Sequence, residues 1–405
     1  MDSIYHTGGR RWPTHLLTFL VVVLVVLAGV ILPFFPFNRT KDRVDWQRVS
    51  ANARDTPTVL PVTQRPSIDI SVADAQWLSR QMRPEDARKL NVSRVLHLMH
   101  VHGKDYRLEI SGNTTVRSML DILTDEQLGR LVLGAPPMIL TDTGVRYVSI
   151  VPSRRLLTSS GSGESHRDQF LASMAELGVP LCQAIVMNEG RFSLRDVLSD
   201  SLAQFNLEQD ELEWTAFAYA AYLPPQTRWV NRYGEEYSFD DLVARLLVQS
   251  LEKSTCCGMH VVFALTAVLQ ADSGANHLLS ERIRRQVDQM LHKWIDLIIH
   301  TQLPDGGWPA SWWDLAAARE ATDGSSLLAT SHIAEWLYML PSDCEIPSNT
   351  SRKATGYLLS RLKLASKKEM WQQFCPYSHS CHVLRCLAHS SEAQACPSCE
   401  SHFTK

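Results

Sequence analysis

Histidine recurs at the start of one apolar stretch after another in the second half of this chain. The stretches open with Ser165-His166-Arg167-Asp168, Glu211-Leu212-Glu213-Trp214, Cys256-Cys257-Gly258-Met259-His260, Ser331-His332-Ile333-Ala334-Glu335-Trp336 and Tyr377-Ser378-His379-Ser380-Cys381-His382. Each places ionisable or metal-binding groups first and then turns apolar. Helix capping accounts for Ser165, Asp168, Glu211 and Ser331, because short polar side chains satisfy the open N–H groups of a first turn and acids favour its positive end. It does not account for His166, His260, His332 and His379, since histidine gains nothing from a positive dipole end.

Two chemistries fit these residues. Cys256 and His260 are four apart and Cys257 and His260 three apart, so either pair shares a helix face; with His332 or His379 from neighbouring helices they would make a zinc site with an open position. The metal-free alternative uses His260 or His332 as base and Glu213, Glu335 or Asp168 as acid or orienting group, which needs a buried carboxylate of raised pKa. The expected catalytic set is therefore His166, Asp168, Glu213, His260, His332, Glu335 and His379, with Cys256, Cys257 and His260 as the metal ligands. Trp214, Trp308 and Trp336 either form flat apolar walls for sugar rings or polyprenyl chains or pack between helices. His97, His100 and His102 read as surface or core packing at a helix end, with metal binding the lesser alternative.

The elements that must hold these groups are helices of two kinds. From Glu281 to Gln302, Ile283, Val287, Met290, Trp294, Leu297 and Ile298 recur at steps of three and four, with charges opposite, as on an amphipathic outer helix. Thr215–Leu223 and Val261–Leu269 carry no charge, and Ile333–Leu340 carries only Glu335, as expected of helices buried on every face. Buried helices near 167, 211, 256, 331 and 378 alternate with amphipathic ones at 193–206, 239–252, 279–302 and 352–365. A period of about 45 residues is that of a helix-pair repeat, with one insertion around 303–328. Such pairing describes an α/α toroid or a helical solenoid.

Within the insertion, Gln302-Leu303-Pro304-Asp305-Gly306-Gly307-Trp308 resembles the Gln-x-x-x-Gly-x-Trp repeat of the squalene and hopene cyclase family, which is built on α/α toroids. The resemblance implies that Gln302 caps a helix end and that Trp308 packs beside it. It also implies parallel inner helices whose N-terminal ends meet at one rim, where related prenyltransferase and lanthionine-cyclase toroids bind zinc through Cys and His. The aspartate-rich acid motif of the cyclases is missing; its nearest counterpart, Asp240-Asp241, begins an outer helix. The fold class expected is all-α, an α/α toroid of five to six hairpins preceded by one transmembrane helix and a small α+β lead-in.

The remaining chain frames that domain. Residues 1–15 form a short tail. No charged side chain occurs from Trp12 to Phe37, and residues 16–37 are long enough at 1.5 Å each to cross a hydrocarbon core of roughly 30 Å. An uncleaved membrane anchor is expected there, with a cleaved signal peptide as the rival. A polar, proline-bearing linker follows at 38–70, then the lead-in at 71–160, the toroid at 161–390 and a cysteine-rich tail at 391–405, whose Cys396 and Cys399 read as a disulfide, a small zinc site or free thiols. Basic residues bracket the anchor; a short basic N-terminal tail favours an extracytoplasmic main domain. Forty basic against 43 acidic residues, a net charge of −3, give no excess to neutralise phosphates, so nucleic acid is not an expected partner. The lipid bilayer and a small-molecule, glycan or polyprenyl ligand are. Enzyme and non-catalytic tethered scaffold both remain open on this reading.

Overall fold

In a computed structural model of the chain, residues 45–58, 71–84, 87, 90–110, 116–147, 167–272, 277–321, 324–341 and 344–392 are described. The expected anchor at 16–37, most of the linker, Ser165 and His166, and Cys396 and Cys399 lie outside them. Among the described residues no helix is long and apolar enough to cross a membrane. Val44–Lys405 group as one compact unit.

The unit is mostly helical, with small two-stranded sheets. In chain order it contains α1 (Trp46–Asn52), α2 (Val72–Gln81), α3 (Val92–His102), β1 (Arg107–Glu109), β2 (Val116–Ser118), α4 (Met119–Thr124), α5 (Glu126–Leu133), β3 (Met138–Leu140) and β4 (Val145–Tyr147). There follow α6 (Gln169–Glu176), β5 (Ala184–Met187), β6 (Gly190–Ser193), α7 (Leu194–Gln204), α8 (Leu212–Tyr222), β7 (Arg228–Val230), β8 (Glu236–Ser238) and α9 (Phe239–Leu247). The last part is α10 (Met259–Ala271), α11 (Glu281–Thr301), α12 (Leu315–Arg319), α13 (Leu327–Met339), α14 (Ser348–Leu364), α15 (Lys367–Gln372) and α16 (Phe374–Glu392).

One local pattern occurs three times. A buried helix leads into an antiparallel hairpin, and the second strand ends on a serine that begins the next helix: α3, β1–β2 and α4 at Ser118; α6, β5–β6 and α7 at Ser193; α8, β7–β8 and α9 at Ser238. In each, an aspartate three residues on accepts the serine N–H: Asp121 at 3.2 Å, Asp196 at 2.8 Å and Asp241 at 2.9 Å. This reciprocal capping stops the strand and starts the helix at a defined residue. Residues 92–124, read from sequence as part of a lead-in, carry the same pattern and belong to the same unit as the later repeats.

The two kinds of helix are distinct in burial. Every residue of α8 except Trp214 is buried, and so are Leu327 and Ala329–Tyr338 of α13. In α11 only the stripe Ile283, Val287, Leu291, Trp294, Ile295, Ile298 and Thr301 is buried, at steps of three and four. The buried helices pack in a succession that returns to its start: α3 on α16, α16 on α13, α13 on α10, α10 on α8, α8 on α6 and α6 on α3. The amphipathic helices bridge neighbours in this succession, α9 lying on α8 and α10 and α14 on α13 and α16.

The Gln302–Trp308 loop locks two amphipathic helices together. Gln302 Nε2 donates to Gly306 O and to Thr350 O at 2.9 Å each, tying the end of α11 to the first turn of α14. Trp308 is fully buried and its indole N–H donates to Ile298 O at 2.8 Å. Gly306 has φ +97°, and a Cβ there would lie 2.3 Å from Lys353 O, so the loop admits no side chain at this position.

Three helix starts differ from the sequence expectation. Helix α13 begins at Leu327 because Ser326, not Ser331, accepts the open N–H of Ala329. Ser331 is buried inside the helix, where its hydroxyl donates back to Leu328 O. Asp168 and Glu211 do precede α6 and α8, but in left-handed backbone with no side-chain cap bond. The Asp168 carboxylate instead accepts from Ser201 and Thr215, joining α7 to α8.

Candidate metal centre

The closed succession of buried helices surrounds a cavity of about 720 Å³. Its walls come from α3, α6, α8, α10, α13 and α16, and include Trp214, Phe217, Phe263 and Phe374 as aromatic surface. Polar side chains line it from all six helices, and Thr255 and Cys256 do so from the turn before α10. Among the described residues, three groups at or beside its wall each bring their ligand atoms within 4.8 Å of one another: Cys256, His260 and His332; His97, Cys375 and His379; His100, Glu335 and His382. The groups adjoin, because His332 and His379 have ring centroids 4.0 Å apart, His379 and His97 5.3 Å, and His100 and His382 4.3 Å.

Backbone geometry explains how Cys256 reaches the cavity. Cys256, Cys257 and Gly258 have φ of 49°, 56° and 76°, a left-handed turn immediately before α10. Each non-glycine residue in this conformation costs roughly 1–2 kcal/mol. A Cβ on Gly258 would sit 2.7 Å from Leu251 Cβ and 3.0 Å from its carbonyl oxygen, so glycine is required. Trp312 donates its indole N–H to Cys257 O at 2.9 Å and secures the turn.

Most of these histidines are held through Nδ1, and a carbonyl acceptor identifies the tautomer; His382 is held at both nitrogens, its Nε2 lying 3.4 Å from Cys386 Sγ. His332 Nδ1 lies 2.8 Å from Leu328 O and His97 Nδ1 lies 2.7 Å from Ser93 O. A carbonyl only accepts, so both rings carry their proton on Nδ1 and present an Nε2 lone pair. His332 Nε2 is buried and makes no aligned hydrogen bond. His260 Nδ1 shares a 2.9 Å bond with Thr255 Oγ1, and its ring packs at 4.5 Å from Trp214. His379 Nδ1 donates to Glu335 Oε2 at 2.7 Å and His382 Nδ1 to Glu335 Oε1 at 2.5 Å. Anchoring one ring nitrogen while freeing the other is how proteins orient metal-binding histidines.

Charge is distributed unevenly over this cluster. Burial and then the neighbouring His379 lower His97 to about 3, leaving a neutral ring. Burial and then His382 likewise hold His100 well below the usual imidazole range. Burial alone would raise Glu335, but His379 and His382 together outweigh it and hold the carboxyl well below its ordinary value. Glu176 behaves oppositely: burial, then the charge of Glu335, push it up to about 7. The contact with Cys375, then burial, push the Cys256 thiol well up, and burial raises Cys257 to about 12.

Several expected residues meet here: Cys256, Glu213, His260, His332, Glu335, His379 and Trp214 all line the cavity. Others do not. Cys257 belongs to none of the three ligand groups. Asp168 is engaged between helices as described, and Trp308 and Trp336 are fully buried, the latter donating to Thr266 Oγ1 at 2.7 Å. The two tryptophans are core because their N–H groups are satisfied inside the protein, so only Trp214 of the three forms wall. The carboxyl of raised pKa is Glu176, whereas Glu335 is held below its ordinary value. His97 and His100, read as packing, are central, and Cys375 was not anticipated. The pair spacing of His97 and His100 on α3, three apart like His379 and His382, was the available signal.

No protein family, no curated protein and no solved structure matches this chain significantly. The residues therefore carry the argument. What they offer is a set of Cys, His and Glu side chains able to hold a metal ion at the wall of a partly open, aromatic-lined cavity.

Proposed function

We propose that this chain is a membrane-anchored α/α toroid whose central cavity is a metal-assisted active site for a glycan or polyprenyl-type substrate. The toroid reading is supported by the closed succession of six buried helices with amphipathic helices bridging them. The anchor at 16–37 and an extracytoplasmic domain rest on the sequence alone.

The observation that carries the metal is His332. Its Nδ1–H is spent on Leu328 O, so its buried Nε2 offers a lone pair within 4.8 Å of the ligand atoms of Cys256 and His260. Two imidazoles and a thiolate suit zinc, and three protein ligands leave a position open. A divalent ion there supplies Lewis-acid polarisation of a substrate oxygen or a lowered pKa for water. Trp214 and Phe263 present flat faces to a ring or an isoprenoid chain, and a cavity of about 720 Å³ is ample for either. Glu176, with its carboxyl near 7, is suited to exchange a proton at neutral pH.

The test is turnover by the full chain, followed by mass spectrometry, on glycan and polyprenyl substrates with and without a chelator. The proposal predicts conversion that chelation and His332→Ala both abolish. Saturable binding of a ligand in the cavity with no conversion would instead make the protein a tethered ligand-binding module.

A further inference from the structure

The cavity cluster has two tiers. Helices α3 and α13 both pack on α16, and each of the three carries two of its members three residues apart: His97 and His100, His332 and Glu335, His379 and His382. Residues three apart lie on one helix face, about 4.5 Å apart along the axis. The upper tier, His97, His332 and His379, is completed by His260 and the thiols Cys256 and Cys375. The lower tier is of different chemistry: His100, His382 and Glu335, with Glu176 beside them at the end of α6.

We infer that the lower tier is a second divalent-metal position, held by His100, His382 and Glu335, so that the cavity houses a two-metal centre with a thiolate-bearing site above and a harder carboxylate-bearing site below. This inference rests on the metal-site reading given above. The ligand atoms of these three residues lie within 4.8 Å of one another; His382 Nδ1 faces Glu335 Oε1 at 2.5 Å, so an ion held between them displaces the proton they share to solvent, while His382 Nε2 stays against Cys386 Sγ at 3.4 Å. His100 Nε2 is buried, 2.9 Å from Glu176 Oε1 and 3.4 Å from Glu335 Oε1, yet aligned for a hydrogen bond with neither. Two carboxylates thus converge on one imidazole nitrogen without satisfying it, an arrangement that a cation among them explains. Two histidines and one carboxylate are a set that leaves open positions on manganese, iron or zinc. Glu335 connects the tiers, its other oxygen receiving His379 Nδ1–H at 2.7 Å.

Cobalt(II) titration of the full chain separates the tiers, because Cys256 gives the upper site a sulfur-to-cobalt charge-transfer band; Cys386→Ser, which removes the thiol 3.4 Å from His382 Nε2, should leave that band unchanged. The expected result is two equivalents bound. His382→Ala and, separately, His100→Ala should each reduce this to one with the sulfur band unchanged, and that band also reports an intact fold. Cys256→Ser should remove or strongly weaken the band and leave one equivalent. A single equivalent in the unaltered protein, with its sulfur band indifferent to His100→Ala and His382→Ala, would overturn the two-metal centre while leaving the upper site standing. No cobalt bound at all would overturn both.

Discussion

Glu335 Oε2 accepts the Nδ1–H of His379 at 2.7 Å, and the carboxylate lies one helical turn from His332 on the same helix. One acidic side chain on α13 therefore fixes the ring orientation of a histidine on α16, whose Nε2 is left for the cavity. Glu335→Gln preserves size while removing the charge that holds His379 and His382. Metal affinity at the positions that His379 and His382 serve should fall about 10–100-fold, the usual effect of losing a carboxylate behind a ligating histidine. Competition titration against a chromophoric chelator would measure it, and an unchanged affinity would mean that Glu335 does not orient the ligands.

The left-handed turn at 256–258 gives a test of backbone positioning. Gly258→Ala should lower both stability and metal uptake, because its new methyl group meets Leu251 and the turn that aims Cys256 must shift. Gly356→Ala is the matched control. That glycine is in the middle of α14 with open space around it, so alanine should stabilise by about 0.5–1 kcal/mol and leave metal uptake alone. Denaturant midpoints and metal content of both variants check this.

The tryptophans should separate by position. Trp336→Ala empties a fully buried site and should cost about 3–5 kcal/mol. Trp214→Ala alters the half-buried cavity wall beside His260 and should cost clearly less, showing instead as weakened uptake of an apolar or sugar ligand. Equal destabilisation by the two would argue that Trp214 is core.

Away from the cavity, Asp200 predicts the acid limb of stability. Burial alone would raise its carboxyl, but Arg146 at 2.8 Å and the hydroxyls of Thr143 and Thr141 outweigh it and hold it below its ordinary value. A depressed folded-state pKa contributes stability that is present above the unfolded value, near 3.9, and is lost as pH falls through the lower folded value. Asp200→Asn should cost about 2 kcal/mol at pH 7 and flatten the loss of stability between roughly pH 4 and 2. Urea unfolding across that range reads both.

Much of the architecture was legible because the two helix kinds differ in composition. Charge-free runs such as Thr215–Leu223 became buried helices, and stepped stripes such as Ile283–Ile298 became bridging ones. His260, His332 and His379 stood out because nothing local explained a histidine on those helices. The rest was hidden by contacts distant in sequence. His97 and His100 join the site only because α3 packs on α16, nearly 300 residues away, which no local pattern reveals. Cys375 was missed because α16 starts at Phe374, one turn earlier than its apolar run suggests. Ser331 looked like a cap because it precedes that run, whereas Ser326 starts the helix and moves His332 and Glu335 deeper into the cavity.

The most direct measurement is X-ray absorption at the metal edge, with metal stoichiometry, on the purified full chain beside His332→Ala. A centre at Cys256, His260 and His332 predicts bound zinc with sulfur at about 2.3 Å and imidazole nitrogen at about 2.0 Å, and its loss in a variant that remains folded. A chain that purifies without metal and takes up none when dialysed against zinc would contradict the account.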